Sequence, residues 1–275
     1  MHLTHSHYIT IIMLKGIINS GNDCYFIATL QALYNIPEYV EYLLTSNTLS
    51  KYEKVAHITY KLLQKNKPLK VLDLFRIIDP VEFNGSQKDA SEFMIRLFDN
   101  YVDNHKKTLP HIVFRRECLL CHKVNTSESL LFPIWVEKNN NANFIIPEPN
   151  KFLGDTFCEI EKDCEKCKHK THSEKNGFRD KGNVLFMAIK RFNYNGSKDN
   201  SPIENIALML NDKELRSVVC HYGNTFSGHY FTINNINDKW IIFDDEKVEE
   251  MEEKKAWKFI QHLGYILIYK KKLMV

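Results

Sequence analysis

Apolar positions recur at helical spacing through the first third of the chain and at strand spacing through most of the rest. Ile27, Leu30, Leu33 and Tyr34 repeat three and four apart until Pro37 stops the run. This predicts a helix opening at or near Cys24. A short helical pattern covers Glu38–Leu44. Lys51–Gln64 places Val55, Ile58, Thr59 and Leu62 on one face, and Val71–Ile78 follows. The clearest pattern is Lys88–Val102, with Ala90, Phe93, Met94, Leu97, Phe98 and Tyr101 on one stripe. To about His105 the chain reads as all-helical. From Ile112 short β-rich runs take over, at Ile112–Arg116, Leu130–Val136, Val184–Ile189, Arg216–Cys220, His229–Ile233, Lys239–Phe243 and Gly264–Tyr269. Polar, turn-rich stretches separate them, among them Asn139–Asn143, Gly177–Asn183 and Asn193–Asn200. There is no internal repeat. Helices first and an antiparallel β region after them predict an α+β fold.

Composition changes this picture little. Of 275 residues 44% are apolar, enough for a sizeable core, and the formal net charge of +3 gives no argument for nucleic acid. No apolar stretch reaches membrane-spanning length. The first residues, MHLTHSHYITIIMLKG, carry neither a basic n-region nor a small-residue cleavage site, so residues 1–12 read as an extension. His2, His5 and His7 belong to that tail.

Seven cysteines matter more. Four form two C-x-x-C pairs, Cys118 with Cys121 and Cys164 with Cys167, among β-type residues. That spacing suits a closed tetrahedral zinc site of structural type, with no position left for a reacting water. His122, His169 and His172 are near enough in sequence to stand in as ligands. Zinc with unpaired thiols implies a reducing, intracellular compartment, cytoplasm or nucleus. Cys158 and Cys220 have no partner at useful spacing and read as ordinary thiols.

The remaining cysteine carries chemistry. Cys24 lies where a Gly/Asn/Asp-rich turn becomes the first helix. A helix N-terminus offers partial positive charge and unpaired N–H groups, both of which favour a thiolate. Alone, such a cysteine is more often a small buried hydrophobe. Far downstream, however, HYGNTFSGHYF (His221–Phe231) and WIIFDDEKV (Trp240–Val248) supply an imidazole beside glycine and two adjacent carboxylates. A nucleophilic thiol needs such a base, an orienter for it and donors for an oxyanion.

Together these segments resemble the ubiquitin-specific protease family. Gly16, Asn19, Gly21, Asn22, Cys24, Tyr25, Leu30 and Gln31 match its cysteine box, and His221, Gly223, Gly228, His229 and Tyr230 match its histidine box. Between them, SQKDASEF (Ser86–Phe93) and LFMAIKRF (Leu185–Phe192) stand in the family's order. The resemblance implies a papain-like cysteine protease fold in one catalytic domain. Its helical thumb would span about 13–108, its zinc-bearing β fingers about 109–183 and its antiparallel β palm about 184–275. It further implies Cys24 as nucleophile, His229 as base, Asp244 rather than Asp245 as orienter, and Asn19 with the Cys24 amide as oxyanion donors. Asp89 and Glu92, three apart on the Lys88–Val102 pattern, would pair with arginines in the tail of ubiquitin. Gly223 and Gly228 would admit a diglycine end, with His221, Tyr230 and Phe192 nearby. Phe192 faces the cleft or the core, and Tyr222 and Phe226 are candidates to close over the tail.

The sequence departs from the family at Asp23, where threonine is common. A carboxylate there can cap the helix but opposes a thiolate next to it. The function expected is a thiol deubiquitinase, with structural Zn²⁺, acting as a monomer on ubiquitin or ubiquitinated proteins, without nucleic acid or membrane. Two rivals stand beside it: a ubiquitin-binding pseudoenzyme, and a peptidase for another modifier ending in Gly-Gly. The Asn/Lys/Ile-rich composition is that of an AT-rich genome, such as a virus or parasite.

Overall fold

The computed structural model of the chain describes residues 15–65, 71–98, 101, 109–147, 152–159, 163–180, 182–193 and 195–272. The N-terminal histidines lie outside them. Among the described residues the helices α1 (Cys24–Tyr34), α2 (Pro37–Thr45), α3 (Lys51–Gln64), α4 (Val71–Ile78) and α5 (Ala90–Leu97) come first. Strands β1 (His111–Cys118), β2 (Val124–Leu130), β3 (Ile134–Val136), β4 (Phe144–Ile145), β5 (Phe152–Glu159), β6 (Thr171–Arg179) and β7 (Val184–Ile189) follow. Then come β8 (Ile203–Glu204), β9 (Met209–Leu210), β10 (Lys213–Gly223), β11 (Gly228–Ile236), β12 (Lys239–Asp244) and β13 (Lys247–Met251), and finally α6 (Glu253–Leu263) and β14 (Gly264–Lys271).

Two of these elements correct the sequence reading. Within the Lys88–Val102 pattern a helix opens at Ala90 rather than Lys88 and runs to Leu97, because Asp89 is its N-cap and accepts the N–H groups of Ser91 and Glu92; residues 99, 100 and 102 lie outside the described residues. Asp89 therefore does not share a helix face with Glu92. The Leu130–Val136 run is split: Leu130 closes β2, Ile134 opens β3, and Pro133 between them has no amide to give a ladder.

The large sheet runs in the order β13-β12-β11-β10-β14-β7-β3 and is antiparallel except where β3 pairs with β7. One face packs on α1, every residue of which is buried. Polar side chains on that face settle the helix along its axis. Thr232 donates its hydroxyl to the Ala28 carbonyl at 2.6 Å, Ser217 to Ala32 at 3.0 Å, and the Asn234 amide to Gln31 at 3.1 Å. Buried donors left unpaired are costly, so these bonds specify one register of helix on sheet. Beneath α1, Phe26, Phe75, Phe83 and Phe93 form an aromatic cluster with centroids 4.8–6.1 Å apart. On the opposite face Ala256 and Ile260 of α6 pack with Val218, Phe231 and Ile233.

A second, four-stranded sheet in the order β2-β1-β6-β5 joins this core at its base, through Phe178 of β6. Every residue of β2 is exposed, while β1 buries only Val113 and Cys118. Among the described residues no helix is long and apolar enough to cross a membrane.

Candidate active site

Cys24 opens α1 and is 5% exposed. The start of β11 brings His229 beside it, near enough for the sulfur to act on the ring, while its Nε2 lies 2.5 Å from Asp244 Oδ1 at the end of β12. With Nε2 turned to Asp244, Nδ1 is the nitrogen left for sulfur. The pull of Cys24, reinforced by Asp244, raises His229 to about 9 against the opposing effect of burial. The Asp245 carboxylate is also near, its Oδ2 4.0 Å from Nε2. Strand alternation would send neighbouring residues to opposite sides. It fails here because Asp245 has left the strand, with a positive φ of 54°.

Asp245 is occupied elsewhere. Its Oδ2 accepts from Asn19 Nδ2 at 2.9 Å, and its carbonyl accepts from the Ile17 amide at 3.0 Å. Asn19 Oδ1 in turn accepts the amide of Gly21 at 2.9 Å. One of the two N–H groups of the Asn19 side chain thus orients the amide, and the other is open to a ligand. The chain runs so close that a Cβ on Gly16 would fall 2.4 Å from the Glu246 backbone.

Asp23 sits at the N-cap but caps nothing with its side chain. Its carboxylate turns back to the Ser20 amide at 3.0 Å, and burial raises its pKa. A carboxylate driven toward the neutral form opposes a neighbouring thiolate less than a fully charged one.

A cleft of about 590 Å³ leads to Cys24 between α5 and the end of the large sheet. It is lined by Asp89, Glu92, Phe192, His221, Gly228 and Tyr230, all anticipated from the sequence, and by Gln87 and Tyr265, which were not. Gly223 closes the β10–β11 hairpin with φ 98°. Phe192 does two jobs, packing on the core and lining the cleft. Glu92 is exposed. Asp89 is engaged: one oxygen caps α5, and the other accepts the hydroxyls of Tyr265 at 2.6 Å and Tyr230 at 3.4 Å. His221 is buried, and burial holds it down at about 3, so it stays neutral. A Cβ on Gly228 would lie 2.2 Å from His221 Nε2; the glycine is required by that ring as well as by any ligand. Gln87 reaches across the cleft, donating to the Gly228 carbonyl at 3.0 Å and accepting from its amide at 3.4 Å. Tyr222 does not line this cleft; its ring stands 5.5 Å from that of His229. Phe226 is 83% exposed at the hairpin tip.

The profile of the ubiquitin carboxyl-terminal hydrolase family matches residues 15–269. The chain belongs to this family. Among its relatives, probable ubiquitin carboxyl-terminal hydrolase 16 of Schizosaccharomyces pombe is 25% identical over 94% of this chain and 66% of its own length. Ubiquitin carboxyl-terminal hydrolase 12 of Salmo salar is 23% identical over 92% of this chain and 88% of its own. In fold the chain is similar to one in a solved SAGA DUB module, Ubp8/Sgf11/Sus1/Sgf73 bound to monoubiquitin, with a TM-score of 0.74, 17% identity, and coverage of 96% of this chain and 70% of the other. The family is one of cysteine-type deubiquitinases. Its papain-like architecture of thumb, palm and fingers describes the α1–α5 layer, the large sheet and the four-stranded sheet.

At the tip of the fingers Cys118, Cys121, Cys164 and Cys167 place their sulfurs within 4.8 Å of one another. Cys118 and Cys167 are 3.5 Å apart, Cys121 and Cys164 3.6 Å. Four sulfurs about 2.3 Å from one ion lie roughly 3.8 Å apart, so the set fits zinc with little adjustment. The two turns are built alike. Cys118 N–H donates to the Lys123 carbonyl and Cys164 N–H to that of His169, and each pair is followed by a residue of positive φ, His122 at 55° and Lys168 at 63°. The amides of Cys167 and Lys166 point at the Cys164 sulfur and hold its thiol down to about 6. The neighbouring histidines are otherwise engaged, His122 with Glu117 and His172 with the Lys170 carbonyl. Cys220 is fully buried, which pushes its thiol up. The side chain of Cys158 lies outside the described residues.

Proposed function

We propose that this chain is a thiol deubiquitinase that hydrolyses the bond after the C-terminal glycine of ubiquitin through Cys24, His229 and Asp244. The observation that carries the reading is the His229 ring placed between the Cys24 thiol and Asp244 Oδ1. As thiolate, Cys24 attacks the carbonyl of the terminal glycine. The second N–H of Asn19, oriented by Asp245, and the Cys24 amide stabilise the oxyanion. His229 gives its proton to the departing lysine nitrogen as the C–N bond breaks, leaving a thioester. Water, deprotonated by the same ring, then releases ubiquitin and restores the thiol.

The cleft supports the substrate. Glu92 is free to pair with an arginine of the extended tail, and Asp89 serves through the two tyrosines it holds in the cleft wall. Gln87 bonds Gly228 as a neighbouring peptide group would, and an entering glycine backbone takes over that role. The fingers, with zinc on the four cysteines, hold the globular part of ubiquitin; the ion supplies structure only. The unpaired thiols fit a reducing compartment.

A ubiquitin bearing an electrophilic C-terminus tests this. Covalent labelling at Cys24, lost in Cys24→Ala and His229→Ala, is expected. Tight binding without labelling would make the chain a pseudoenzyme, and neither would point to another Gly-Gly modifier.

A further inference from the structure

We propose a subsite for the leaving group: the ring of Tyr222 receives the aliphatic stem of the lysine whose isopeptide bond is cut. This rests on the deubiquitinase reading above. Residues along β10 and β11 alternate between two faces of the large sheet. His221 and Tyr230 face α1 and line the cleft through which a tail reaches Cys24. Tyr222, paired with His229 across the hairpin, packs the other way, toward α6 through Phe231, while the His229 ring at the end of the sheet reaches Cys24. The end of the sheet therefore separates two sides. A chain that arrives along the cleft and passes its scissile bond to Cys24 must send its leaving nitrogen past the His229 ring, which supplies the proton.

Tyr222 is the side chain that flanks that ring. Its centroid is 5.5 Å from that of His229, and it is 52% exposed, so one face of the phenol packs while the other is open. Phe231 supports it from below at 6.3 Å, and Phe231 rests in turn on Phe259 of α6 at 6.0 Å. The ring is thus held on an aromatic base rather than free to swing. An open aromatic face beside a proton donor suits a chain of methylenes ending in an amine. Asp244, 45% exposed behind the imidazole, favours the partial positive charge that the nitrogen carries while it takes the proton and the C–N bond breaks.

The test compares two ubiquitin amides cut by the full chain. One is the isopeptide to the ε-amine of Nα-acetyllysine amide; the other is the C-terminal ethylamide, which lacks most of the stem. The wild type is expected to cut the lysine amide about tenfold faster in kcat/KM, as one-sided packing of a few methylenes implies. Tyr222→Ser is expected to erase that preference, lowering lysine-amide cleavage about tenfold and ethylamide cleavage by less than about twofold; Tyr222→Phe is expected to retain it. Equal loss on both substrates would show that Tyr222 only supports His229 and would overturn the subsite, as would a wild type with no preference. The comparison on the wild type stands even if the serine variant does not fold. Labelling of Cys24 by the ubiquitin probe is measured alongside: its absence in the wild type sinks the deubiquitinase reading itself, whereas labelling without a lysine preference sinks the subsite alone.

Discussion

The large sheet and the finger sheet are built on different physics. In the large sheet β7 is buried along its whole length and α1 is buried all round. Its stability comes from apolar area removed from water, on the order of 25 cal/mol per Å². The finger sheet has a fully exposed edge strand and little core. Its tip converges on four sulfurs spaced for a zinc ion, the staple that a small region of that kind would use in place of a core. One chain thus uses cysteine in two opposite ways. Cys24 stands at a helix end beside an imidazole, at the edge of a rigid core, whereas the finger cysteines are themselves the core. The two regions should therefore fail independently.

The largest expected effect tests that independence. Cys24→Ser should lower ubiquitin-amide hydrolysis by about 10⁴-fold or more while leaving zinc content, measured by metal analysis, at the wild-type value. Coupled loss of both would break the comparison. Next, the two neighbouring carboxylates should separate. Asp244→Asn should lower kcat by about 10³- to 10⁴-fold, because it faces the imidazole directly. Asp245→Asn, acting through Asn19, should cost about tenfold. Steady-state kinetics on a ubiquitin amide decide this, and the reverse order would make Asp245 the orienter.

A third test enters from the fingers. Cys164→Ser should remove the metal and expose residues 111–179 to limited proteolysis. KM for ubiquitin substrates should rise about tenfold, yet alkylation of Cys24 by a small reagent should stay within about twofold of wild type. Smaller still is the pH dependence of stability. His229 is raised from 6.5 to about 9 by the pull of Cys24. Its contribution is fully present below pH 6.5 and is lost as pH rises through about 9. Thermal melts of wild type and Cys24→Ala should differ most below about pH 6.5 and converge above about pH 10. The smallest effect is at Asp23. Because burial already raises that carboxylate, Asp23→Thr should speed alkylation of Cys24 near neutral pH by only about two- to threefold. A tenfold gain would show that Asp23 keeps its full charge.

What was legible in the sequence follows the same divide. The buried elements of the core announced themselves, because burial imposes periodicity: α1, α3, α4 and β7 lie where the apolar spacing put them. In the fingers only β1 did, over Ile112–Arg116. Strands β2 and β6 are read by their pairing to β1, and a sequence such as Val124–Leu130, polar between its two end residues and exposed throughout, has no face to betray it. α6 was missed because Ala256 and Ile260 alone are buried along its eleven residues. At the site, the chemistry-bearing residues were visible by type, while the cross-links that position them were not. Gln87 to Gly228, Asn19 to Asp245 and Asp89 to Tyr265 each join residues 141 to 226 positions apart, and no local pattern records such a bond. Asp89 shows the cost: its place in a helix-like run concealed that it caps the helix instead.

The close passage of Gly16 beneath Glu246, sealed by the Ile17 amide on the Asp245 carbonyl, welds the segment that leads into α1 to the turn that follows β12. The Asn19 amide on Asp245 is a second weld a few residues along. The two rims therefore cannot drift independently, and any side chain larger than hydrogen at Gly16 would act as a wedge between them.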